Sequence, residues 1–346
     1  MQSPPSLVLK KTAVLLVGYG EVPAHKSPRD FYDYNHKALT LLAGKFLPNT
    51  PWSDAILTRL LSWWDHREWE QEHRFQSPYN WIFENQRVGV ERYLQAEYGK
   101  DIQVFKAFNF CDGFLPEQVL TQIQAQGFER LVLFPLLVID SAFTTGITVQ
   151  QVNQVLNIRD FRCLPSFTKR SDYHDWIGTF LTHQIIQTNG IYNPSQVGLV
   201  LMTYGSPLET KGYDTGIREN QNLYESVRQR LVHQFPLISI GWLNHNIPVG
   251  WTRPDVNQAA ENLLHLGAKT LVFCPIGSAT DNHETLLDLG RTVRRLRKRR
   301  IPCTQLPCPN DDPGFLKLLV RWLTPLITMG NETETRVLSQ KTSSKP

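Results

Sequence analysis

QVLTQIQAQGFERLVLFPLL at 118–137 and NQAAENLLHLGAKTLVFCPI at 257–276 read the same way. In each, apolar residues at helical spacing lead to a glycine, Gly127 or Gly267, and then to an apolar run ending in Pro135 or Pro275. A change from helical periodicity to a continuous apolar run marks a helix feeding a strand buried on both faces, as in a parallel sheet. The two copies are offset by a constant 140 residues. A second pair corresponds as well. TAVLLVGYGEVP at 12–23 and VGLVLMTYGSPLE at 197–209 each give a β-rich run, then Tyr-Gly, then a proline-containing loop. Strands alternating with helices predict an α/β fold of two Rossmann-like halves, their parallel sheets facing a central cleft. The halves are expected at 12–165 and 166–330, followed by a polar tail, 331–346, whose composition reads as disordered. Ligands of such sheets sit beyond the carboxyl ends of the strands, so the Tyr-Gly loops and the loop after Pro275 are expected at one cleft.

The first half carries an insertion at 52–83 with Trp52, Trp63, Trp64, Trp69 and Trp81. Aromatic helical segments of this kind are ordinarily core; a lid over a flat apolar ligand is the alternative. His66 and His73 fall two helical turns apart within it, but no third metal ligand accompanies them. The five cysteines, Cys111, Cys163, Cys274, Cys303 and Cys308, show neither a disulfide pattern nor iron–sulfur spacing. No apolar run reaches the roughly 20 residues that span a bilayer. The opening MQSPPSLVLKK reverses the order of a signal peptide, so a cytoplasmic location is expected. A net charge of +4 gives no reason to expect nucleic acid. RTVRRLRKRR at 291–300 nevertheless has seven cations in ten residues. It reads as a solvated helix end suited to the helix dipole, or as a peripheral patch for an anionic membrane surface.

The residues fit for chemistry collect in SATDNHETL at 278–286, where His283 and Glu284 open a helix. A histidine serves as ligand or base near neutral pH, and a carboxylate binds an ion or relays protons. Adjacent helical residues diverge by about 100°, so both need not meet one ion. Asp281-x-x-Glu284 also reads as a capping box, which would explain Glu284 with no catalysis.

The chain resembles the ferrochelatase family over roughly 12–325. VGYGEVP (17–23), SPYNWIFENQ (77–86), FPLLVIDSAFTTG (134–146), IGWLNHNIPVGWTRPDV (240–256), SATDNHETL (278–286) and PNDDPGFLKLL (309–319) match family segments in order. The departures fall at the site. Asn109 and Phe110 stand for an Arg-Tyr pair, Phe83 for a threonine, Asp140 for a cleft tyrosine, Gly205 for the catalytic histidine and Asn282 for a second histidine. The resemblance implies a tetrapyrrole metal chelatase that inserts ferrous iron, as substrate, into a porphyrin for heme synthesis, with no organic cofactor. It implies Glu284 and His283 for metal and protons, helped by Tyr204, with Ser141, Thr144, Thr145 and His245 binding the substrate. A non-catalytic porphyrin- or heme-binding relative that carries, sequesters or senses its ligand is the alternative. A chelatase for another metal is a further one, with Asp140, His245, His283 and Glu284 as an altered ligand set.

Overall fold

The computed structural model describes residues 10–22, 27–46, 51–72, 74–164, 166–189, 193–210, 212–244 and 250–328. His73, His245 and the 331–346 tail lie outside the described residues. Four strands of the first half, β1 (Thr12–Gly18), β2 (Ile102–Phe108), β3 (Arg130–Pro135) and β4 (Asp160–Cys163), pair in parallel in the order β2-β1-β3-β4. In the second half β5 (Val197–Tyr204), β6 (Leu237–Leu243), β7 (Thr270–Pro275) and β8 (Cys303–Gln305) repeat that order as β6-β5-β7-β8. The internal repeat read from the sequence is thus a repeat of topology. Leu136 N–H donates to Val17 O at 2.8 Å, and its counterpart Ile276 donates to Met202 O at 2.9 Å.

Every residue of β1, β3 and β7 is buried, as the unbroken apolar runs require of strands covered on both faces. The feeding helices of the two copies, α4 (Pro116–Ala125) and α8 (Val256–His265), appear as predicted. Gly127 and Gly267 follow them with φ of +71° and +100°, the left-handed turn that stops a helix without Cβ strain. The other helices are α1 (Pro28–Phe46), α2 (Pro51–Gln71), α3 (Tyr79–Tyr98), α5 (Thr145–Asn153), α6 (Ser171–Asn189), α7 (Ile217–Leu231), α9 (Leu289–Lys298) and α10 (Pro313–Thr328).

The closing helix α10 crosses back to the first half, packing on α3 and β3. Leu316 lies so close to Gly89 of α3 that a Cβ there would sit 2.5 Å from Leu316 Cδ1. Its C-terminal carbonyls are held by buried arginines: Arg130 donates to Ile327 O, and Arg162 donates to Leu326 O at 2.8 Å. Asp160 balances both guanidiniums, at 2.9 and 3.0 Å.

The tryptophan-rich segment departs from the ordinary expectation. α2 lies along α1, and Trp63, Trp64 and Trp81 are 53%, 58% and 67% exposed, so they are not core. Trp69 is wrapped, edge-on to Phe31 and Phe75 with centroids 5.1 Å away. His66 packs edge-on to Phe31. Among the described residues no helix is long and apolar enough to cross a membrane. The five cysteines are free.

Candidate active site

The carboxyl ends of β1, β3, β5 and β7 and the inner faces of α1, α2 and α9 enclose a cavity of about 1070 Å³. That is the upper end of the size range of small-molecule pockets. Its first-half wall is aromatic. Tyr19 stacks on Phe110 at 5.6 Å with rings 8° apart, Tyr34 meets Phe110 edge-on, and Tyr204 meets Tyr19 edge-on at 6.4 Å.

The loop after β1 carries a residue that the sequence analysis did not single out. Glu21 is 5% exposed and lines the cavity. The SPYN segment fixes its backbone: Asn80 accepts from Glu21 N–H at 3.0 Å and donates to Glu21 O at 2.7 Å. The Glu21 carboxylate accepts from the backbone N–H of His283 at 3.1 Å and lies 2.7 Å from His283 Nδ1. The two halves therefore join at a carboxylate–imidazole pair. Burial alone would lower the His283 pKa, but Glu21, Glu284 and Asp288 outweigh it and push the imidazole up to about 10. Glu21 also orients the ring: with Nδ1–H donated to the carboxylate, Nε2 is the nitrogen left for other chemistry.

Glu284 begins a single π-helical turn, Glu284–Asp288, a form that recurs at functional sites. Glu284 and Asp288 both line the cavity. Burial, opposed by His283 and aided by Glu21, raises the Glu284 carboxyl to about 7. Burial, opposed by His283, raises Asp288 to about 6. The capping box expected of Asp281 and Glu284 is not formed. The Asp281 N–H is taken by Asn310 Oδ1 at 2.8 Å, while the Asp281 carboxylate accepts from Cys308 N and Asn310 Nδ2. The reciprocal pair is instead Asn282 with Thr285, whose side chains each accept the other's backbone N–H at 2.9 Å.

The two positions where the resemblance implies histidines, Gly205 and Asn282, are tightly packed. Gly205 lines the cavity but has no room for a side chain, because a Cβ would lie 2.6 Å from Leu243 O and closer still to the Asn244 amide. Asn282 is buried and donates to the Tyr204 hydroxyl. Burial and the nearby Glu284 keep Tyr204 well above the usual phenol range, so it remains a neutral donor. Phe83, in the place of the threonine, is fully buried, and a Cβ on Gly18 would come within 2.7 Å of its ring.

Of the expected substrate-binding residues, Ser141 and Thr144 line the cavity and are bonded to each other at 3.0 Å. Thr145 opens α5 and is not among the lining residues, and His245 lies outside the described residues. Among the described residues no three His, Cys, Asp or Glu side chains converge as a metal cage, and His245, a member of the set expected with Asp140, lies outside them.

A latch closes the far side. Arg291 pairs with Glu68 of α2, with Glu72 at 3.3 Å and with Asp288 at 3.4 Å, and Arg294 pairs with Glu72 at 2.7 Å. Arg299 pairs with Glu261. Much of the basic stretch 291–300 is thus engaged within the molecule.

A family model described as Ferrochelatase matches residues 11–325. A ferrochelatase of Cyanothece sp. is 26% identical over 288 residues, 78% of this chain and 71% of the relative. One of Synechococcus elongatus is 24% identical over 280 residues, 77% and 71% of the two chains. Among solved structures, a multi-domain Deinococcus radiodurans protein described as similar to chelatases superposes with a TM-score of 0.53 at 12% identity, covering 93% of this chain and 56% of that one. SirB from Bacillus subtilis, solved with Fe3+, gives 0.50 at 10% identity, covering 91% and 95%. The two four-stranded parallel sheets and these neighbours make this a chelatase fold, and with a model match across nearly all its described length the chain belongs to the ferrochelatase family.

Proposed function

We propose that the protein inserts a divalent metal, ferrous iron in the first instance, into a porphyrin for heme synthesis. One observation carries the reading: Glu21, His283, Glu284 and Asp288 share the wall of an aromatic cavity large enough for a tetrapyrrole. Metallation exchanges one dication for two pyrrole protons. Glu284, with its carboxyl near 7, accepts the two pyrrole protons in turn, and Asp288, near 6 and more open to solvent, passes each on to water. His283, oriented by Glu21, offers Nε2 to the incoming ion once its own proton leaves. Tyr204 donates a hydrogen bond at the same face, while Ser141 and Thr144 form the floor. No organic cofactor enters, and the metal is substrate. We place the reaction in the cytoplasm, with any membrane contact peripheral and made through exposed cations such as Lys298 and Arg300.

A second reading, a porphyrin or heme binder without turnover, is favoured by the closed position at Gly205. An anaerobic insertion assay with Fe²⁺, Co²⁺ and Zn²⁺ against protoporphyrin separates the two. Turnover above the protein-free rate is expected, falling about 10²–10⁴-fold in Glu284→Gln with porphyrin binding retained. Binding without turnover in the wild type would leave the binder reading standing.

A further inference from the structure

The cavity is lined by two arginines with opposite surroundings. Arg291 is saturated by Glu68, Glu72 and Asp288. Arg295, one helical turn further along α9, also lines the cavity but has no carboxylate partner among the described residues. Its Nη2 donates to Asn257 Oδ1, an oxygen that also accepts from Thr292 Oγ1 at 2.8 Å. The neutral amide steadies the guanidinium without pairing its charge, and Glu261, which acts on it across space, is held directly by Arg299. The next arginine beyond α9, Arg299, is paired with Glu261. Arg295 thus combines a place on the cavity wall with a guanidinium in direct contact with no carboxylate among the described residues.

A guanidinium presents a rigid fork of donors that fits a carboxylate with two parallel bonds. The rest of the wall carries aromatic and aliphatic side chains, neutral amides and hydroxyls, the Glu21-paired imidazole of His283, and carboxylates that would repel an acidic substituent. We infer that Arg295 is a specificity-determining residue that grips an acidic side chain on the edge of the tetrapyrrole, orienting the macrocycle with its centre toward Glu284 and His283. This rests on the chelatase reading above. It goes further in assigning recognition of substrate carboxylates to α9, a helix with no expected part in binding.

The test compares two probes that differ only in the acid groups: protoporphyrin and its dimethyl ester, titrated into the full chain by fluorescence. The wild type is expected to bind the free acid more tightly. Arg295→Gln is expected to weaken the free acid about tenfold, the loss of one charge-assisted contact, and to leave the ester unchanged. Arg295→Lys should recover part of the difference, because the charge returns without the fork. Arg299→Gln, on a neighbouring residue away from the cavity, should change neither. Equal losses for acid and ester in Arg295→Gln, or no loss for either, overturn the assignment while porphyrin binding itself survives. A wild type that binds neither probe removes the chelatase reading, and this inference with it.

Discussion

Replacing Glu21 by Gln tests the site at its least expected member. The exchange keeps the shape of the side chain and removes its charge. In the wild type the carboxylate meets the ring of His283 at 2.7 Å and the backbone N–H of the same residue at 3.1 Å. A histidine raised to about 10 contributes stability that is fully present below its ordinary value near 6.5 and is lost as the pH rises through 10. Without Glu21, burial is the largest influence left, and it favours the neutral ring. The variant should therefore lose about 2–3 kcal/mol of folding stability at pH 7 and much less at pH 10, where the wild type is also losing the interaction. The assay is a histidine ¹⁵N NMR titration alongside urea unfolding at both pH values. The same titration bears on activity. The wild-type rate should rise with pH as Glu284 ionises near 7, and Glu21→Gln should move that limb toward alkaline pH, because neutralising His283 removes a cation that lowers Glu284 more than Glu21 raises it. Wild-type His283 titrating in the ordinary range near 6.5 would refute the reasoning, as would a variant equally destabilised at both pH values.

Other perturbations bear on separate parts of the structure. Gly205→His should not raise insertion and should cost about 1–3 kcal/mol, since the added Cβ collides with a backbone carbonyl; a gain of activity would show that the loop yields. Asp160→Asn removes the carboxylate that the nearly buried Arg130 and Arg162 share, and should cost about 3 kcal/mol by chemical denaturation. Burial opposes ionisation of Asp160, but Lys10, Arg130 and Arg162 hold its pKa below the usual range. Its stabilisation is therefore present at neutral pH and lost as the pH falls through that depressed value, and the variant should show a flatter acid limb. Arg291→Gln releases α2 from α9, and porphyrin dissociation measured by stopped flow should become faster and less sensitive to salt than in the wild type.

What the sequence showed and what it hid divide along one physical line. The helix–glycine–strand repeat is local: each signal lies within twenty residues, and the 140-residue offset reproduces it. The sheets followed from it, and so did the loops that carry Tyr204 and Glu284. The pair of Glu21 and His283 joins residues 262 apart, and no local pattern records it. The one available signal was a lone acid in the loop just beyond an entirely buried strand. The capping box misled for a related reason. Its donor is satisfied by Asn310, which reaches the turn only once the chain has come round after β8. Asp288 lay open to inspection, four residues past Glu284, but the π turn that keeps both on the cavity is not written in their spacing. The tryptophans of α2 looked like core because composition reports apolarity and not which face a partner covers.

The electrostatics of the wall bear on the choice between enzyme and binder. A pocket that only held a flat apolar ring would be served by apolar side chains, because a buried ion pair is seldom more stable than well-packed hydrophobic residues of equal volume. This cavity instead places Glu21, at 5% exposure, against His283, and adds Glu284 and Asp288 with carboxyls raised to about 7 and 6. Burial makes ionising these carboxyls costly, and groups so poised near working pH are what proton transfer requires. Gly205 and Asn282 stand where the family resemblance implies imidazoles, while the wall holds the Glu284 and Asp288 carboxyls and the Glu21-bound ring of His283. On the proposed reading the chemistry lies at the seam between the halves, where the wall keeps its charges.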